Sequence, residues 1–293
     1  MDNIIEILSK TQDEIYDYLF NKEFSNMEKI IGDKYILLTS PKPKPLLCVH
    51  LDTINTHSKD NIKPTNDDFV FDGKNNIISL SPLSELSCLG GDDKAGLYIA
   101  LKLIDYMNET DNFKYDIGFF MDEEIGCIGS GNLALDLKDE LIEDFNPTCF
   151  IGLDRRSGYG KQEVALYGYD NDELTKIFTE CGFKESMGSI TDASELAGNI
   201  ACINLSVGYD NEHTKNEVLY VDCMESTLQV LKDIEIPDKV YESKDSVYVD
   251  RYFQYYDSYY EEELEEENRI FREVLWSLGF DPEELLEQQR FMS

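Results

Sequence analysis

The chain has 293 residues, with 60 acidic against 26 basic side chains and a formal charge of -34. That balance argues against nucleic acid and anionic membrane as partners, because affinity for a phosphate backbone comes from neutralisation by Lys and Arg. No N-terminal basic segment leads into an apolar stretch, and no apolar run approaches the roughly 20 residues of a membrane span, so a soluble, unprocessed chain is expected.

In chain order, Ile4, Ile5, Leu8, Ile15, Tyr18 and Leu19 recur at helical spacing and predict one or two amphipathic helices over 2–22. The apolar runs KYILLTS (34–40) and PLLCVHLD (45–52) flank the turn PKPKP and predict adjacent strands. Residues 57–88 are polar, with the hairpin-like pieces FVFDG and NIISL. GGDDKAGLYIALKLIDYMN then opens with glycines and acids and continues at a period of 3.6, which predicts a loop entering a helix. YDIGFFMD (115–122), PTCFIGLD (147–154) and ACINLSVGY (201–209) read as buried strands, and a strand pair in VALYGY and a helix in NDELTKIFTECGF fall between the last two. This alternation predicts an α/β fold, a mainly parallel twisted sheet covered by helices on both faces.

The seven cysteines are scattered and form no CxxC pattern, so they are read as reduced core residues of a cytoplasmic protein. Residues 238–293 form an acidic, tyrosine-rich extension. Leu264, Phe271, Leu275 and Leu278 predict a helix there, and Asp281 and Pro282 cap a short last one. The extension is read as docking on the main domain, or as a protein or oligomer contact through 241–293.

The acids and histidines sit at informative places. His50, Asp52, Glu123, Glu124 and Asp154 fall at the C-terminal ends of predicted strands, Asp92 begins a helix, and His213 follows the last strand. Open α/β sheets bind ligands in the crevice at those strand ends. A strand-end Asp alone is ordinarily a turn or cap. Histidine is scarcer evidence: the chain has three, and two lie in these acid-rich segments. The third, His57, is read as a solvent-exposed loop residue and not as a ligand.

The words HLDT, GGDDKAG followed about thirty residues later by DEEIG, the isolated Asp of GLD, TDAS and NEHTKNE resemble the co-catalytic metallopeptidase clan that contains the M20, M28 and M42 families. They look most like the peptidase T branch of M20, over roughly residues 34–235. The resemblance implies a zinc-exopeptidase fold of the phosphorylase/hydrolase type, with residues 1–237 as the catalytic domain. It implies that His50 and Asp154 hold one metal, that Glu124 and His213 hold a second, that Asp92 bridges the two, and that the Asp92–Asp93 peptide bond is cis. Asp52 would orient the His50 imidazole, and Glu123 would be the general base and acid. Imidazole and carboxylate ligands without thiolate suit two Zn²⁺ ions, with Mn²⁺ or Co²⁺ as substitutes. Such a pair ionises a shared water and polarises the scissile carbonyl. The implied activity is hydrolysis of short peptides, as an aminopeptidase; the alternatives are a deacylase of N-acyl amino acids and a non-catalytic binding relative.

M20 enzymes carry an inserted lid or dimerisation domain after the strand-end Asp, whereas here Asp154 and His213 are 59 positions apart. No lid fits that gap, so other groups must grip the substrate. Arg155 and Arg156 are candidates because a guanidinium fork clamps carboxylates or oxyanions. Thr191 and Asp192 of TDAS are the others, Asp192 as a partner for a free α-amine.

Overall fold

The computed structural model describes residues 3–244 apart from 25, 59–61 and 143–144. Two helices open it, α1 (Ile4–Leu8) and α2 (Gln12–Asn21). A reciprocal cap separates them: Thr11 Oγ1 accepts the Glu14 N–H, and the Glu14 carboxylate accepts the Thr11 N–H. The remaining elements are β1 (Glu28–Gly32), β2 (Tyr35–Thr39), β3 (Leu46–His50), β4 (Phe69–Asp72), β5 (Ile77–Leu80), α3 (Gly91–Thr110), β6 (Asp116–Phe120), α4 (Ile128–Lys138), β7 (Phe150–Arg155), β8 (Glu163–Leu166), α5 (Asp172–Glu180), β9 (Lys184–Met187), α6 (Asp192–Leu196), β10 (Cys202–Ser206), β11 (Tyr209–Asp210), β12 (Val218–Tyr220) and α7 (Val221–Asp233).

Eight strands form one sheet in the order β1-β2-β6-β3-β7-β10-β8-β9. Its centre, β6-β3-β7-β10, is parallel, as is β8-β9, while β1-β2, β2-β6 and β10-β8 are antiparallel. A smaller antiparallel sheet has the order β11-β12-β5-β4 and contains the expected hairpin of β4 and β5. Strand periodicity explains why the large sheet is buried on both faces. Ile36, Leu38, Leu47, Val49, Ile117 and Phe119 join one core with Ile99 and Leu103 of α3 and Leu228 of α7. The alternate residues Tyr35, Leu37, Leu46 and Cys48 join a second core with Leu133 of α4 and Ala193 of α6.

Two strand expectations are corrected. β2 and β3 are not neighbours, because β6 lies between them, antiparallel to β2 and parallel to β3. The PKPKP link is long enough to step over one strand, a span of about 10 Å. Its start is tied to the intervening strand, since both the Ser40 N–H and Oγ donate to Asp116 Oδ1 at 2.7 and 2.9 Å. VALYGY is also a single strand, β8, whose parallel partner β9 comes after α5.

The chain divides into two compact units, Met1–Lys244 and Asp245–Ser293. The first runs past residue 237, where the sequence placed its end. Tyr241 is buried, its N–H donates to the Thr148 carbonyl, and its own carbonyl accepts from Ala201 N–H. The helices and the contact surface expected beyond residue 244 lie outside the described residues. No helix among the described residues is long and apolar enough to cross a membrane.

Candidate metal centre

Parallel strands bring their C-terminal ends to one edge. β3 ends at His50 and β7 carries Asp154, while the turn after β6 carries Glu123 and Glu124. Asp92 enters from the first turn of α3, and His213 enters from the loop between β11 and β12 with φ at 62°. The Asp92–Asp93 peptide bond is cis, as the resemblance implies.

These side chains form two groups that share one residue. His50 Nε2 lies 3.0 Å from Asp92 Oδ1 and 3.6 Å from Asp154 Oδ1. His213 Nε2 lies 3.2 Å from Asp92 Oδ2 and 2.9 Å from Glu124 Oε2. Each triad is close enough to hold one metal ion, and Asp92 offers a different oxygen to each. The donor set is imidazole and carboxylate, and Glu124 Oε1 is a buried oxygen without a hydrogen-bond partner, which fits a cation ligand.

The electrostatics describe a crowded acidic pocket. Burial and the nearby Asp154 push Asp92 up to about 6. Burial, with Asp154, Asp192 and Asp92, pushes Glu123 up to about 9 despite the attraction of His50. Hydrogen bonds donated to the Asp92 and Glu124 carboxylates raise His213 to about 11. Burial opposes charge on His50, yet Asp154, Asp52 and Asp92 outweigh it and lift its pKa well above the usual imidazole range. Burial likewise opposes charge on Asp154, but His50 holds its carboxyl low.

Supporting groups are mostly buried. Asp52 Oδ1 lies 3.3 Å from His50 Nδ1, and the carboxylate also accepts the Glu123 and Glu124 N–H groups at 3.0 and 3.1 Å. One carboxylate thus lies beside a histidine and holds the main chain of both acidic residues. His57 is an exposed turn residue, as expected, and its Nε2 also lies 2.9 Å from Asp52 Oδ2. Asp154 is fixed from three sides, by Thr191 Oγ1 donating to Oδ2 at 2.9 Å, by the Tyr209 hydroxyl 3.0 Å from Oδ1, and by Asn204 bonded to its main chain.

Sequence reasoning missed two acids. Asp93 is fully buried; Oδ1 accepts the Gly96 N–H and Oδ2 the His50 N–H, which ties α3 to β3. Its signal is an Asp three residues before Gly96 at a helix start, the spacing of an N-cap. Glu217, also fully buried, accepts the Gly90 N–H at 2.9 Å and the Asp92 N–H at 3.1 Å. It anchors the Asp92 loop to the His213 loop, and its only trace in sequence is the closing Glu of NEHTKNE.

A cavity of about 160 Å³ opens beside the triads. Its wall includes Arg155, Arg156, Tyr167, Ser189, Ile190 and Glu212. Both arginines are engaged, Arg155 with Glu163 at 3.1 Å and Arg156 with Glu212 at 3.3 Å. Asp192 does not meet the cavity as expected: it is 2% exposed, and its Oδ1 accepts from Ser130 Oγ at 2.6 Å. It begins α6, where its carboxylate meets Ser130 of α4, and Ser189 and Ile190 of the same loop take the wall position.

No protein-family model and no curated protein sequence matches the chain. Solved structures do. A tripeptidase from Staphylococcus aureus superposes with a TM-score of 0.57 at 15% identity, over 78% of this chain and 95% of its own. The aminopeptidase PepT from Bacillus cereus gives 0.56 at 16%, over 78% and 95%. A TET aminopeptidase from a marine sediment archaeon of the Thaumarchaeota gives 0.56 at 11%, over 80% and 96%. At these identities the likeness establishes a common fold.

Proposed function

We propose that the chain is a two-metal aminopeptidase acting on short peptides. The observation that carries this reading is Asp92, whose two carboxylate oxygens each face a separate His-carboxylate pair. A fold held in common with a tripeptidase and with aminopeptidases supports it.

His50, Asp154 and Asp92 would hold one Zn²⁺, and His213, Glu124 and Asp92 the other, with Mn²⁺ or Co²⁺ as substitutes. Bound there, the two cations would supply Lewis acidity toward the scissile carbonyl and toward a water, and their field would bring Glu123 back into the range of a base. Glu123 takes the proton of the attacking water and delivers it to the departing amine. Its 3.9 Å separation from His50 Nε2 and its place on the cavity wall put it beside both triads. Asp52 holds the tautomer of His50 and the backbone of Glu123 and Glu124. With no inserted lid between Asp154 and His213, the chain's own wall grips the substrate, Arg155 and Arg156 serving as donors beyond their ion pairs because a guanidinium carries five N–H groups. The seven unpaired cysteines support a reducing, cytoplasmic setting.

Mass spectrometry of free, N-acetylated and C-amidated di- to hexapeptides incubated with zinc-loaded protein tests the reading, with Glu123→Gln as the blank. Stepwise loss of N-terminal residues from free peptides is expected. Release of acyl groups alone, or no Glu123-dependent product, overturns it.

A further inference from the structure

Asp52 is closed to solvent, and one imidazole faces each of its carboxylate oxygens. His50 Nδ1 lies 3.3 Å from Oδ1, and His57 Nε2 lies 2.9 Å from Oδ2. Both oxygens also accept a main-chain N–H, from Glu123 and Glu124, so they act as acceptors and the His57 imidazole is the donor. The last torsion of an Asp side chain is soft. What holds Oδ2 therefore sets where Oδ1 points, and Oδ1 is the oxygen beside His50.

The turn that bears His57 lies at the surface, yet it is pinned. The Thr56 N–H donates to the Thr53 carbonyl at 2.8 Å. Asn55 is buried; its Nδ2 donates to the Cys88 carbonyl and its Oδ1 accepts the Ser87 N–H, both at 2.9 Å. His57 lines a separate cavity of about 350 Å³ with Thr53, Asn55 and Asp122, and the wall of the cavity beside the triads does not include it. Contact with a substrate in that cavity is thus not its role. Asp52, His57 and Asp122 also lie close enough together to hold a cation. Asp122 is already engaged, however, with Gln12 Nε2 2.8 Å from Oδ1 and Lys34 Nζ 2.5 Å from Oδ2. The hydrogen bond to Asp52 is the use the geometry favours.

We infer that His57 is a positioning residue: through Asp52 it fixes the His50 imidazole toward the ion that His50 shares with Asp154 and Asp92. This inference rests on the two-metal reading and extends its support one residue beyond Asp52.

Chelator competition on the zinc-loaded full chain tests it, with His57→Ala and His57→Gln set against the wild type. Gln places an amide N–H near the position of Nε2, whereas Ala leaves Oδ2 short of a donor. His57→Ala is expected to weaken zinc binding about tenfold, and His57→Gln to stay within about threefold of the wild type. The thermal midpoint of the zinc-free protein and the KM for trialanine at saturating zinc are expected to stay unchanged in both variants. Wild-type zinc affinity in His57→Ala overturns the inference, and so does His57→Gln that binds zinc no better than His57→Ala. A lowered midpoint of both zinc-free variants overturns it by assigning His57 to the stability of its turn. A raised KM overturns it because His57 would then touch substrate, and a third zinc ion that His57→Ala loses does so because His57 would then be a ligand. A wild type that binds fewer than two zinc ions refutes the two-metal reading and the inference together. A wild type that binds two and cleaves no peptide refutes the peptidase reading alone, and the zinc comparison still decides the role of His57.

Discussion

Glu123 and Glu124 are chemically identical neighbours whose roles are separated by where the turn after β6 points them. Glu124 lies 2.9 Å from His213, while Glu123 reaches toward His50 and the cavity. Glu123→Gln is therefore expected to keep both metals and lose about 10²- to 10⁴-fold in kcat, measured by zinc analysis alongside peptide turnover; a fully active variant removes Glu123 from the mechanism. Glu217→Gln is expected to weaken zinc binding by about 10- to 100-fold in chelator competition, since it replaces the acceptor that holds the Asp92 loop. Unchanged affinity would assign Glu217 to packing alone. Asp116 gives a separate prediction about stability. Burial raises its pKa from 3.8 to about 6 in the fold, so the folded state binds the extra proton. Its favourable contribution is present below pH 3.8 and is lost as pH rises through about 6, a difference of about 3 kcal/mol. Asp116→Asn, which keeps an acceptor for Ser40, should flatten that part of the urea-stability profile and be no less stable at pH 8. A profile identical to the wild type would contradict the assignment.

At the scale of elements, the site depends on how closely α3 approaches β7. A Cβ on Gly96 would lie 1.9 Å from the Leu153 carbonyl oxygen and 2.4 Å from Asp93 Oδ1. Gly96→Ala must push the first turn of α3 away from the strand end that bears Asp154. A loss of about 1–3 kcal/mol in urea unfolding, together with weaker zinc binding, is expected; wild-type values for both would show that α3 tolerates the shift. This scale also marks how far sequence pattern could reach. The apolar runs of β2, β3, β6, β7 and β10 announce themselves because both faces of the sheet are covered, and the acids at their ends were legible for the same reason. Strand order was not legible. The PKPKP link reads like a turn between neighbours, and nothing local shows that Asp116 and β6 will be inserted between them. β9 was hidden because KESM is an exposed edge strand without an apolar pattern. Asp192 misled because its word matches a substrate loop while the start of α6 rotates the side chain away from the cavity.

At the scale of the whole molecule, the described unit carries every group assigned to metal and base. Truncation after Lys244 should therefore leave a folded protein with two metals and turnover within a few-fold of the full chain. Truncation at 237 should destabilise it, because Tyr241 closes the core beside Thr148 and Ala201. Circular dichroism with zinc analysis compares the two, and an unfolded 1–244 fragment would make the extension part of the core. The central claim is narrower: Asp92 joins two cation sites into one centre. Anomalous diffraction at the zinc edge from zinc-loaded crystals tests it most directly. Two peaks roughly 3.5–4 Å apart are expected, one between His50 and Asp154, the other between Glu124 and His213, with Asp92 shared; a single peak, or a pair that leaves Asp92 unliganded, would contradict the account.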